Sequence, residues 1–80
     1  MPTIDMIATG NRIRDLRDRT GMTTKDLMRF FGFENPTAIY KWLRGDSLPT
    51  VDNLVILAHL FGVAVDDILV IRKNDNTAVA

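Results

Sequence analysis

The stretch TTKDLMRFFGFENPTAIYKWLRG, residues 23–45, decides the reading of this chain. Thr23 followed three residues later by Asp26 is a capping-box-like helix start, and Leu27, Phe30 and Phe31 keep an apolar face until Gly32 closes a short helix. Asn35 before Pro36 then starts another helix, because Asn can cap free backbone N–H groups and Pro at a first helical position loses no hydrogen bond. Ile39, Trp42 and Leu43 form the buried stripe of that helix, and Gly45 ends it. At about 100° per residue, Thr37, Tyr40, Lys41 and Arg44 fall on the opposite side, within an arc of roughly 100°. One face is core. The other carries a hydroxyl, a phenol, an ammonium and a guanidinium, which are donor types that reach phosphates and base edges from a helix in the major groove. Mixed Lys and Arg on an amphipathic helix also serve solubility alone, so the pairing of two helices across a tight turn is what favours the helix-turn-helix reading.

Upstream, Thr9 to Thr20 places Ile13, Leu16 and the stem of Arg17 at helical spacing before Gly21, predicting a first helix. Downstream, Asp46 to Pro49 is turn chemistry, Thr50 can cap a fourth helix running to Phe61 and stopped by Gly62, and a last short helix is expected at about Val65 to Val70. Asp66 and Asp67 suit the N-terminus of that last helix. No segment alternates long enough to argue for a sheet. The expected fold is all-α, a compact bundle of about five short helices, with a flexible N-terminus over 1–8, the folded domain over 9–71 and a flexible tail over 72–80.

Eighty residues allow one domain, which buries only about 60% of its unfolded surface. The composition, 46% hydrophobic and 25% charged, is that of a folding globular chain. With no cysteine there is no disulfide, thiolate metal site or thiol nucleophile. No run approaches the roughly 20 apolar residues that span a bilayer, and the start has no signal-peptide character, so a cytoplasmic location without membrane association is expected. The net charge of zero hides an asymmetry: residues 1–44 hold eight basic against five acidic residues, and the remainder two against five. One half can face a polyanion.

With these pieces in place, the chain resembles the bacterial and phage Cro/repressor-like helix-turn-helix family, also called the XRE family, over residues 10–69. The resemblance rests on NRIRDLRDRTGMTTKDL, GFENPTAIYKWLRGDSLP and TVDNLVILAHLFGVAVDDIL in that order. It implies a lambda-repressor-like fold, double-stranded DNA as partner, base contacts from Thr37, Tyr40 and Lys41, and phosphate contacts from Thr24 and Arg44. Two departures stand out. The turn at Phe33 to Asn35 is one residue longer than the commonest form, with Pro36 where many members present a polar side chain. Leu43 replaces an acid that in many members pairs with an arginine at the position of Arg17. Without that partner, Arg17 is expected to run its stem over Trp42 and keep its head in solvent or on the ring face, in a structural role.

Other chemistry is thin. His59, the single histidine, lacks partners on its own helix for a metal or acid–base site, and adjacent Asp66 and Asp67 point apart on a helix. No glycine loop cradles a phosphate and no metal-ligand spacing occurs, so no catalytic site, metal, cofactor or small-molecule ligand is expected and the chain reads as a non-enzyme. The fourth helix is apolar nearly all round, from Val51 to Phe61, which fits either core or a homodimer contact. Two functions follow: a sequence-specific transcriptional regulator, a repressor acting at an operator, or a protein-interaction module such as the antitoxin half of a toxin and antitoxin pair.

Overall fold

Asp5 sets where the chain first becomes helical. In the computed structural model, which describes residues 3–72, its Oδ1 accepts the Ala8 N–H at 2.9 Å and caps α1 (Met6–Thr20). The helix thus begins three residues before the Thr9 start expected from periodicity. Ahead of it, β1 (Thr3–Ile4) pairs antiparallel with β2 (Ile71–Arg72), with Thr3 opposite Arg72 and Ile4 opposite Ile71. The Asp5 N–H donates to the Val70 carbonyl at 2.7 Å, and the Val70 N–H donates to the buried Thr9 hydroxyl at 3.0 Å. These bonds correct two expectations: a small sheet exists, and residues 3–8 are joined to the far end of the fold rather than left without packing. They also explain why the last helix, α5 (Val65–Ile68), stops short of Val70, whose backbone is claimed by Thr9 and Asp5. The remainder of the expected tail, residues 73–80, lies outside the described residues.

Between these ends the order is α2 (Thr24–Phe31), α3 (Thr37–Arg44), α4 (Val51–Phe61) and α5. The capping box of α2 forms as read: Thr23 Oγ1 accepts the Asp26 N–H at 3.1 Å, and Asp26 Oδ2 accepts the Thr23 N–H at 2.9 Å. The carboxyl of Asp26 is held below the usual aspartate range by the Thr23 backbone N–H first, then by its bond with the Thr23 side chain and the charge of Arg29. At α3 the start differs in detail. Pro36 is the N-cap residue rather than the first helical one, and Asn35 Oδ1 accepts the Thr37 N–H at 3.1 Å. Thr50 caps α4 by accepting the Asn53 N–H at 3.3 Å.

Ile13, Leu27, Ile39, Leu57 and Ile68, one from each helix, are fully buried, with Leu16, Trp42, Leu43, Leu54, Ala58 and Phe61 around them. Each such side chain contributes about 1.5–3 kcal/mol on removal from water. Of the apolar face read on α2, Leu27 alone is fully buried: Phe31 is half-buried at the edge of this cluster, and Phe30 is exposed. The apolar circumference of α4 divides: Leu54, Leu57, Ala58 and Phe61 face the core, whereas Val51, Val55 and Ile56 are exposed.

Where α1 crosses α3, the two backbones meet at Gly10. A Cβ there would collide with the Trp42 carbonyl oxygen and lie 2.7 Å from that of Leu43. Backbone atoms cannot rotate away as a side chain does, so only glycine lets α3 lie this close. A second such contact follows at the C-cap of the same end of α3: Gly45 adopts φ 80°, and a Cβ on it would lie 2.8 Å from the Ile7 Cα.

Candidate nucleic-acid interface

Three side chains of α3 fix its rotation. Ile39, Trp42 and Leu43 are buried, and at helical spacing this turns Thr37, Tyr40, Lys41 and Arg44 outward together. All four are exposed, with Tyr40 at 46%. The eight residues of α3 span about 12 Å, comparable to the width of the major groove of B-DNA.

An aromatic cluster sets the angle at which α3 leaves α2. The Trp42 ring meets Phe31 edge-on at 5.4 Å between centroids and Phe33 at 5.9 Å, and Phe31 and Phe33 stack at 5.2 Å with 15° between planes. Edge-to-face pairs of this kind add about 0.5–1.5 kcal/mol beyond burial. The turn between α2 and α3 carries Phe33 back onto Trp42. Sequence reading placed Phe33 in the turn but gave no sign that its ring returns to the core.

Arg44, unlike the other three outward residues of α3, has an ion-pair partner, and Thr24 lies off this face altogether. The Arg44 Nε donates to Asp46 Oδ2 at 2.9 Å in a pair exposed on both sides, which contributes little and yields readily to a stronger anion. Thr24 stands apart from this arc, half-buried on the first turn of α2. Its hydroxyl accepts a hydrogen bond from Arg17 Nη1 at 3.1 Å.

That bond corrects the reading of Arg17. The guanidinium is neither in solvent nor on the Trp42 ring: the side chain is 17% exposed, Nη2 donates to Asp18 Oδ1 at 3.1 Å, and Nε is buried without a partner. Among the described residues, Trp42 takes Phe31 and Phe33 as its ring partners. Arg17 and Thr24 lie on either side of the helix break at Gly21, a spacing for which helical periodicity offers no rule. Elsewhere among the described residues no group of three or more His, Cys, Asp or Glu side chains is placed to hold a metal ion. No helix there is long and apolar enough to cross a membrane.

Two short helices joined by a tight turn, the second presenting a free polar face, define a helix-turn-helix protein. The Helix-turn-helix family profile matches residues 13–68, and the chain belongs to that family, in its Cro/repressor-like branch. Among solved structures it is similar to the DNA-binding domain of BldD, at 24% identity and a TM-score of 0.66, over 81% of this chain and 93% of that one. A second structure of that domain, from S. venezulae, shares 24% identity with a TM-score of 0.67, over 81% and 96%. The restriction-modification controller protein C.AhdI from Aeromonas hydrophila is similar at 22% identity and a TM-score of 0.69, over 80% and 96%. These likenesses establish the fold. No protein of curated function matches the chain in sequence.

Proposed function

We propose that the protein is a sequence-specific DNA-binding transcriptional regulator, acting as a repressor in the cytoplasm, with α3 in the major groove of double-stranded DNA. The observation that carries this reading is the split of α3 between three buried apolar side chains and four exposed donors, on a helix whose C-terminal end packs closely on the backbone of α1. Lys41 lies one helical turn after Thr37 and donates to guanine O6 and N7, Thr37 and Tyr40 contact neighbouring base edges, and Arg44 and Thr24 hold phosphates on either side. The similarity to two DNA-binding domains and a restriction-modification controller supports DNA as the partner. Nothing in the site calls for catalysis.

A second copy of the chain is the further partner in this reading. Val51 and Val55 are 76% and 56% exposed on the outer side of α4, an aliphatic strip suited to self-association, and a dimer would match the two half-sites of a palindromic operator.

The test is a titration of wild type, Lys41→Ala and Arg44→Ala against a duplex selected by the protein from a random pool and against a scrambled duplex. Lys41→Ala is expected to cost about 1–3 kcal/mol on the selected duplex only. Arg44→Ala is expected to weaken both and to flatten the salt dependence by about one unit. If neither substitution alters binding to either duplex, the interaction-module reading replaces this one.

A further inference from the structure

Among the cations that the interface just described leaves unused, Arg17 has a setting unlike that of the other arginines, which are exposed. Its side chain is 17% exposed, its Nε is buried without a partner, and Leu43, itself buried, offers it no carboxylate from α3. Asp18 meets Nη2 only from the solvent side, with its own side chain 62% exposed. The remaining bond is to Thr24, whose Oγ1 receives the Nη1 hydrogen at 3.1 Å.

A hydroxyl has one hydrogen and two lone pairs. When a guanidinium occupies a lone pair from the protein side, the hydroxyl hydrogen is driven away from the cation, and the positive charge behind the oxygen makes that hydrogen a stronger donor. Among the described residues the only hydrogen bond at Thr24 Oγ1 is the one it accepts, so the outward hydrogen is left for an anion. We infer that Arg17 is a positioning residue for a DNA phosphate: it aims the Thr24 hydroxyl at a phosphate oxygen without touching the duplex itself. This rests on the DNA-binding reading and adds to it the device that orients one phosphate contact.

The experiment measures affinity and its salt dependence on the selected and scrambled duplexes for Thr24→Val, Thr24→Ser, Arg17→Met, and the double variant Arg17→Met with Thr24→Val. Arg44→Ala serves as the reference for a direct phosphate contact. All titrations run below each variant's melting midpoint, read by circular dichroism, so that loss of folding is not mistaken for loss of binding. Thr24→Val is expected to weaken both duplexes about tenfold, as loss of a hydrogen bond to a charged group does, and Thr24→Ser to bind as wild type. Arg17→Met is expected to lose a similar factor, and the double variant no more than Thr24→Val alone, because the two act as one unit. The salt slope should stay at the wild-type value in all four, since no counterion-releasing contact is removed.

A slope flattened by about one unit in Arg17→Met overturns the inference by placing the guanidinium on the phosphate itself. Wild-type affinity in Arg17→Met leaves Arg17 a packing role only, and wild-type affinity in Thr24→Val removes the contact, so either result overturns it too. If Arg44→Ala behaves as expected while these arms fail, the DNA-binding reading survives and the positioning role does not. If wild type binds neither duplex, both fall together.

Discussion

Helices α3 and α4 are built alike on their inner sides and unlike on their outer ones. Each ends on a glycine in the left-handed region and buries three or four apolar side chains. Outside, α3 presents Thr37, Tyr40, Lys41 and Arg44, whereas α4 presents Val51, Val55 and Ile56. The core explains neither outer face, because the buried residues alone would hold the fold. In the function proposed above, what each helix keeps exposed after its core contacts are met is where partner choice resides: donors for a polyanion on α3, aliphatic surface for a second copy on α4.

The comparison breaks first if the inner face of α3 is not its anchor. Trp42→Ala is expected to cost about 3–5 kcal/mol, enough to unfold most of a domain this small, through lost burial and lost ring contacts with Phe31 and Phe33. A thermal melt unchanged by the substitution would detach α3 from the core. Gly10→Ala probes the same anchor from the α1 side. The added methyl meets backbone carbonyls, so about 1–3 kcal/mol of strain is expected, together with weaker DNA binding as α3 shifts outward. Unaltered stability and affinity would show that the crossing is looser than the geometry requires.

The outer face of α4 is sharpened by a gentler change. Val55→Glu should move monomer stability by no more than about 0.5 kcal/mol, since the side chain is exposed, while abolishing self-association in sedimentation equilibrium. A dimer that persists would place the contact elsewhere. The smallest effect concerns the start of α2. The Asp26 carboxyl is lowered in the folded state, chiefly by the Thr23 backbone N–H, so its contribution is present above the ordinary aspartate range and lost as pH falls through the lowered value. The difference in Tm between wild type and Asp26→Asn should accordingly be largest near neutrality and shrink in acid. A difference that grows on acidification would reverse the assignment.

Much of this was legible because the signals are local. Thr23 with Asp26 and Thr50 before Val51 supplied helix starts, and Gly21, Gly32, Gly45 and Gly62 supplied stops, all four with positive φ. The spacing of Ile39, Trp42 and Leu43 gave the rotation of α3, and with it the four exposed donors. What escaped depends on residues distant in sequence. The pairing of Thr3–Ile4 with Ile71–Arg72 is too short to leave a periodicity, and the Thr9 hydroxyl reaches Val70 across the whole fold. The Arg17–Thr24 bond crosses a helix break, and the Gly10 approach involves α3 carbonyls that every residue has, so neither marks the sequence. The exposed strip of α4 was half legible: its apolar residues were evident, but which of them faced the core depended on packing against α1 and α5.

The central claim, that the outer face of α3 reads base edges in the major groove, is tested most directly by dimethyl sulfate protection of the duplex selected by the protein. Guanine N7, the methylated atom, lies in that groove and is the acceptor assigned to Lys41. Wild type should protect guanines within the selected site, and Lys41→Ala should restore methylation at one of them while the others stay covered. Protection confined to adenine N3 in the minor groove, or full guanine methylation beneath bound wild-type protein, would contradict the account.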